Sequence, residues 1–335
     1  MTSSTRRSTA AIAVATAAAL SLAACGGKQD RTSEAGASGS ASCEASAGQI
    51  TIATGNSTGV YYALGGGLAN VISKNTKLKA TAAETGASVQ NIQQVMSGQY
   101  DIAFSLADTA AAAVEGTGPF EGTKQDITTL GRIYNNYTQV VVLKSSGITS
   151  IADMKGKRIS TGSPKSGTEV IAKRMFKAAG LAETDVKAQR LDLGKSVDAM
   201  KDGSIDGLIW SGGLPTGGIT DLTTSLGDKV TFVDTTALLP AMKEVSPVYE
   251  AATIPSSTYK TAADAKTFLV PNLLIVKSDF PQNDACALTT LIFDKKADLE
   301  KVHAAAKELD PAMAVKTDPV PLATGSKTAL DELTK

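Results

Sequence analysis

The chain has 335 residues, with 33 lysines and arginines set against 33 aspartates and glutamates. That balance, with an aromatic content of 4 %, excludes the basic surface and stacking platforms by which proteins hold nucleic acid. The length suffices for two α/β lobes of ordinary size, with a core built mostly from Ala, Val, Ile and Leu.

Residues 1–24 read as a lipoprotein signal peptide. Arg6 and Arg7 form its charged start, and an apolar run from about Ala10 to Ala24 is too short to span a bilayer. Leu22-Ala23-Ala24-Cys25 resembles a bacterial lipobox, so Cys25 is expected to become the mature N-terminus and to carry a diacylglycerol. Residues 25–48, rich in Gly, Ser and Ala, read as a flexible tether with an end-to-end distance of about 25 Å. With Cys25 lipidated, Cys43 and Cys286 remain. They are either bridged, pinning the end of the tether to the body, or two free thiols.

From there short β-branched runs alternate with Ala-rich runs of helical period. Strands are expected at 49–53, 78–83 and 100–105, with helices at 59–74, 87–97 and through the alanines 110–113. Two strands follow, at 129–134 and 139–143. A new unit starts near Ile148, with strands at 157–160, 186–191 and 205–210 and helices at 167–179 and 195–201. Helices at 216–226 and 236–245 flank a strand at 229–233. Strands at 251–254 and 268–276 lead to helices at 281–294, 297–308 and 328–333. The alternation argues for parallel sheets covered by helices. Because the pattern restarts after residue 145, the economical topology is two lobes with two chain crossings. Residues 49–142 and 255–335 form the first lobe and 143–254 the second, with a hinge and a ligand cleft between them.

Gly55-Asn56-Ser57-Thr58-Gly59 joins the first strand to the first helix. A phosphate-binding loop needs a lysine and a hydroxyl where Val60 and Tyr61 stand, and the dinucleotide spacing G-x-G-x-x-G is missing. What remains is a helix start with unpaired, partially positive N–H groups and small residues before it. Ser57 or Thr58 serves there as an ordinary N-cap, or the turn seats a carboxylate. Ser163-Pro164-Lys165-Ser166-Gly167-Thr168-Glu169 repeats the arrangement in the second half. If the strand ends of both lobes face the cleft, the two helix starts oppose and together hold both ends of a small dianion.

Two further loops belong at the same edge: Glu84-Thr85-Gly86-Ala87-Ser88, with Asn91 one turn on, and Trp210-Ser211-Gly212-Gly213-Leu214-Pro215. Asp108 either caps its helix or accepts from a ligand ammonium. Gly65-Gly66-Gly67, inside a helix, costs ~1 kcal/mol per glycine relative to alanine, offset by close approach to the sheet. The one histidine, His303, reads as solvated or capping. No zinc ligand set and no G-x-S-x-G elbow is present, so neither a catalytic set nor a metal or cofactor is expected.

At these residues the chain resembles a known family. ATGNSTGVYYALGGGLANVISK, AAETGASVQNIQQVMSGQYDIAF, ISTGSPKSGTEVIAKRMFKAAGL and the run from Asp206 to Gly218 look like the TAXI family of TRAP-transporter solute receptors, over roughly residues 49–310. The resemblance implies a two-lobed, type II periplasmic-binding-protein fold and an extracytoplasmic receptor that hands its ligand to a TRAP-type membrane permease. Characterised relatives bind small carboxylates such as glutamate. Carried onto matching positions, the ligand site includes Gly55, Thr58, Gly59, Tyr61, Thr85, Ser88 and Asn91. It continues with Asp108, Ser166, Gly167, Thr168, Gly213 and Pro215.

This chain departs from the family at several points. Leu106 and Ala107 stand where relatives often carry Gln-Ser, Ala63 replaces a proline, and Lys165 replaces a glycine. Ala323-Thr324-Gly325-Ser326 replaces a His-Pro-Gly-Ala segment. Fewer polar groups point away from glutamate toward a 2-oxo or branched acid. Lys165 either pairs with the ligand carboxylate or is solvated on the cleft rim. The reading is a lipid-anchored receptor for a small organic anion on the extracytoplasmic face of the membrane. The alternatives are the binding lipoprotein of an ABC importer and, in another class, an enzyme on the same two-lobed fold.

Overall fold

The computed structural model describes residues 43–335. The expected signal peptide, Cys25 and most of the tether lie outside the described residues. Residues 43–48, read from the sequence as the tether's end, are fixed to the body. Ala45 is buried in the core, and Ser46 gives its N–H and hydroxyl to the two carboxylate oxygens of Asp284 at 2.7 and 2.9 Å. Cys43 is joined to buried Cys286 by a disulfide, with 5.0 Å between Cα atoms.

One sheet runs through the described molecule, and its two ends are parallel wings. The first wing holds β1 (Gly48–Ala53), β2 (Leu78–Ala83) and β3 (Ile102–Leu106), ordered β2-β1-β3. Helices α1 (Val60–Asn75), α2 (Ser88–Met96) and α3 (Ala107–Glu115) follow these strands in turn. Between the wings runs β4 (Ile127–Leu143). The second wing holds β5 (Arg158–Ser160), β6 (Lys187–Gln189) and β7 (Gly207–Gly212), ordered β7-β5-β6. Its helices are α4 (Gly167–Ala178), α5 (Leu193–Lys201) and α6 (Gly217–Leu226). Then come β8 (Val230–Phe232), α7 (Leu239–Val245), β9 (Glu250–Ile254), α8 (Ser256–Tyr259) and β10 (Ala265–Lys277). The chain closes on α9 (Gln282–Asp294), α10 (Lys296–Val302), α11 (Pro311–Ala314) and α12 (Thr324–Leu333).

The expected strands at 129–134 and 139–143 are one strand. The polar run Asn135–Thr138 suggested a break, but there β4 changes partner rather than direction. Tyr137 pairs with Leu269 of β10 and also with Gly212 of β7. Its first half is antiparallel to β10 and its second half antiparallel to β7 and β8. Tertiary pairing overrides the weak local propensity of the polar run. Opposite it, β10 carries Pro271 in its interior. Proline cannot donate to a ladder and is tolerated at irregularities, and the β10–β4 register shifts between Pro271 and Leu273. The expected helix at 297–308 is divided at His303, whose side chain caps a 3-10 turn over Ala304–Glu308.

Two apolar clusters are found among the described residues. The larger packs the first wing, β10 and most of the helices, and reaches α4. The smaller lies under the second wing, where Leu193, Val197 and Met200 of α5 meet Ile219 and Leu222 of α6. This is the two-lobed, type II periplasmic-binding-protein fold, with the long strands β4 and β10 linking the wings.

The three glycines of α1 have three different surroundings. A Cβ on Gly65 would collide with Thr54 Cγ2, and one on Gly67 would lie 2.8 Å from Val302 of α10. Gly66 faces open space. Close approach to strand β1 and to α10 therefore requires glycine at 65 and 67 only. In urea titrations Gly65→Ala is expected to lose ~1–3 kcal/mol through overpacking. Gly66→Ala is expected to gain up to ~1 kcal/mol through helix propensity. Equal effects at both positions would contradict this packing.

Candidate ligand site

The parallel strands of each wing end on the same side of the molecule, and each is followed by a helix that starts there. Beyond β1 the chain turns through Gly55 and Asn56. The turn is braced by Thr54, whose hydroxyl donates to Ala83 O at 2.6 Å, and by Thr85, whose hydroxyl lies 3.1 Å from Thr54 O. Helix α1 then starts from Gly59. Ser57 and Thr58 are exposed and neither caps it, so no side chain meets its first N–H groups. Helix α2 starts from Ala87, also without a side-chain cap. Helix α4 starts from Ser166, whose Oγ accepts from Glu169 N at 3.0 Å.

These three helix starts converge on one partly enclosed cavity of ≈30 Å³, a space on the scale of a few water molecules. Gly55, Gly59 and Tyr61 line it from the first turn, and Ser88 from α2. Ser166, Gly167 and Thr168 line it from α4, and Trp210, Ser211 and Gly212 from the end of β7. Asn56, Asn136 of β4 and Leu106 complete the wall with Val60 and Ala87, and among the described residues no charged side chain lines it. Glycine is needed where the wings touch. A Cβ on Gly167 would lie 2.5 Å from Leu106 and 2.7 Å from Ser88, and one on Gly59 would lie 3.3 Å from the Trp210 ring.

A chain of buried hydrogen bonds links the two wings beside the cavity. Tyr61 Oη donates to Asn272 Oδ1 at 2.5 Å. Asn272 Nδ2 donates to Asn136 Oδ1 at 2.9 Å, and Asn136 Nδ2 to Ser211 O at 3.2 Å. Ser211 N in turn donates to Thr168 Oγ1 at 3.2 Å. The Ser211 hydroxyl is buried without a partner. Burial, aided by the nearby Asp108 charge and opposed by a hydrogen bond with Ser88, pushes the Tyr61 phenol well above its usual range, so it stays a neutral donor.

Other expected site residues lie outside the cavity wall. Thr85 and Asn91 hold the turns together. The Thr85 hydroxyl meets Asn91 Oδ1 at 2.6 Å, and Asn91 Nδ2 donates to Thr54 O and Phe104 O at 2.7 and 2.8 Å. Asp108, fully buried, accepts from Arg174 Nη1 at 2.6 Å and Tyr249 Oη at 2.5 Å. It is an acid spent on an ion pair between α3 and α4. Lys165 is exposed, and its ammonium donates to Gln93 Oε1 of α2 at 3.0 Å. Its backbone carries more of the contact, since Gln90 N donates to Lys165 O at 3.1 Å. Lys165 and Ala87, at facing loops, are two of the three non-glycine residues with positive φ among the described residues. Such strain persists where surroundings over-determine it, and it gathers at ligand clamps. Gly213 packs on Tyr134 and Ala305, and the exposed Pro215 gives its carbonyl to His303.

Asn56, Trp210 and Ser211 lie within the sequence motifs without a site role expected of them, and Gly212 is expected only to leave backbone N–H groups accessible. Asn136 was hidden in the run read as a strand break. The signal that could have found it is a pair of asparagines inside an otherwise β-branched stretch.

His303 ties the end of α10 to the loop after β7. Its Nδ1 accepts from Ala305 N at 3.1 Å, which leaves Nε2 to donate to Pro215 O at 3.0 Å. Burial lowers its pKa, against the pull of the Pro215 carbonyl. The neutral form is therefore the folded form. The stability it brings is complete above an unfolded value of about 6.5 and is lost as pH falls from there through the lower folded-state pKa.

Two outcomes follow. In urea melts, the advantage of the native protein over His303→Asn should shrink between pH 8 and pH 5, and a constant difference would contradict the assignment. Arg174→Met should cost about 3–5 kcal/mol by leaving Asp108 buried and unpaired, and adding Asp108→Asn should recover part of that loss. A single-variant loss below ~1 kcal/mol would show the pair to be unimportant.

A profile of the NMT1-like family matches residues 52–333. Among solved structures, a Bordetella bronchiseptica RB50 protein is similar at 21% identity and a TM-score of 0.52, covering 85% of this chain and 88% of that one. The binding protein component of an ABC phosphonate transporter from Pseudomonas aeruginosa is similar at 13% identity and a TM-score of 0.52, covering 78% and 79%.

Proposed function

We propose that this chain, which belongs to the NMT1-like family, is an extracytoplasmic solute receptor that captures a small organic anion and delivers it to a membrane permease. The observation that carries the reading is the convergence of the α1, α2 and α4 starts on one cavity with no charged side chain. Each start brings a partial positive charge of about half a unit and N–H groups suited to carboxylate oxygens. Residues 49–142 with 255–335 act as one lobe and 143–254 as the other, moving about the long strands that join them. Cys25 carries the lipid that holds the receptor at the membrane, and residues 26–42 give it reach.

The motif order of the TAXI receptors supports a TRAP-type permease as the partner. The second reading is an ABC importer, favoured by the fold shared with the phosphonate-transporter component. In both the protein binds and releases its ligand without chemistry on it.

Trp210 is the single tryptophan of the chain and lies in the cavity wall, so its fluorescence reports on the site. The full chain with Cys25→Ser should be titrated with small carboxylates, sulfonates and phosphonates, following Trp210 emission and thermal unfolding together. A carboxylate at 100 times its dissociation constant should add about 2.7 kcal/mol of stability and change the emission. A flat response across all three classes would remove the receptor reading.

A further inference from the structure

We infer that the cavity selects small acids that carry no ammonium group and turns away α-amino acids. The inference rests on the receptor reading and deepens it.

The cavity offers backbone and hydroxyl donors and, among the described residues, no carboxylate to balance a positive charge. Three helix starts point their N–H ends at it, and the α1 and α2 starts have no side-chain cap. Independently of those helix starts, the Ser211 hydroxyl stands at the wall 5 % exposed and without a partner. Its proton can be donated to a bound oxygen, and its oxygen supplies no charge to pair with an ammonium. Thr168 Oγ1 accepts from Ser211 N, which leaves its own proton to donate as well.

Apart from the Ser211 hydroxyl, the oxygens at the wall that could receive an ammonium each already accept a hydrogen bond, and among the described residues none of the lining side chains is a carboxylate. Asn136 Oδ1 accepts from Asn272, Ser211 O from Asn136, and Gly55 O from Thr85 N at 3.4 Å. The nearby carboxylates are spent too. Asp108 Oδ2 takes both Arg174 and Tyr249, Glu169 takes Arg190 Nε at 2.5 Å and Lys165 N at 2.8 Å, and Glu84 takes Ser57 N at 2.8 Å. An amino acid entering here would bury a positive charge against three positive helix ends with no counter-charge. A 2-oxo or unsubstituted acid of the same skeleton meets the donors and leaves no charge unpaired. Asp108 thus acts through Arg174: because its charge is taken, the acid is lost to any ligand ammonium.

Matched pairs test this in the full chain with Cys25→Ser: pyruvate against alanine, 2-oxoisovalerate against valine, and 2-oxoglutarate against glutamate. Trp210 fluorescence and calorimetry would be read in parallel. In at least one pair the oxo acid should bind about a hundredfold or more tighter than its amino partner, the scale expected for an unpaired buried charge. Ser211→Ala should weaken the favoured acid about tenfold, with the melting temperature of the unliganded protein unchanged. An amino acid that binds as well as or better than its oxo partner overturns the selection and leaves the receptor reading standing. Silence from every pair, and from sulfonates and phosphonates as well, overturns the receptor reading itself.

Discussion

The N–H groups in the first turn of a helix have no partner inside the helix, and something must meet them. In most proteins a serine, threonine or aspartate side chain does so. Here the starts of α1 and α2 have no such cap, and that of α4 has a cap on one N–H only. All three are turned toward the same small enclosure. One α2 N–H, that of Gln90, is met by Lys165 O; the demand left over at the three starts is the constraint on which the site is built, and glycines at 59 and 167 keep the wall close enough to exploit it.

What brings the three together is the sheet. Its parallel wings deliver each helix start to the strand ends, and β4 and β10, running antiparallel between the wings, join them. The polar ladder Tyr61–Asn272–Asn136–Ser211 crosses both long strands and ties α1 to the end of β7. Because every member but the Ser211 hydroxyl has a partner, the ladder fixes geometry as well as filling space. The Asp108–Arg174–Tyr249 cluster and the Lys165–Gln93 and Lys165–Gln90 contacts hold α4 against α2 and α3 from the other side. Two such sets of contacts account for an enclosure closed on both flanks.

Much of this was legible in the residues. The α/β alternation located nearly every strand and helix, because β-branched runs and alanine-rich runs carry opposite local preferences. The turn at 55–59 was visible because its glycines and hydroxyls answer a backbone need that no known phosphate motif meets. What was illegible is long-range. Nothing near Asp108 reveals that Arg174, 66 residues on, and Tyr249, 141 residues on, will take its charge. The continuity of β4 through Asn135 and Asn136 depends on β7 and β10, which local propensity cannot see. Lys165 reads as a cation for a ligand until the fold sends its side chain outward to Gln93.

The central claim is that backbone amides at opposed helix starts grip the acid. Amide chemical shifts of ¹⁵N-labelled protein, followed while the tightest-binding acid is added, test it most directly. The account predicts that the largest changes fall on the amides of 59–62 and 166–169, with Ala87 and Ser88 following at the same midpoint. Changes concentrated elsewhere, with these amides unmoved at saturation, would contradict it.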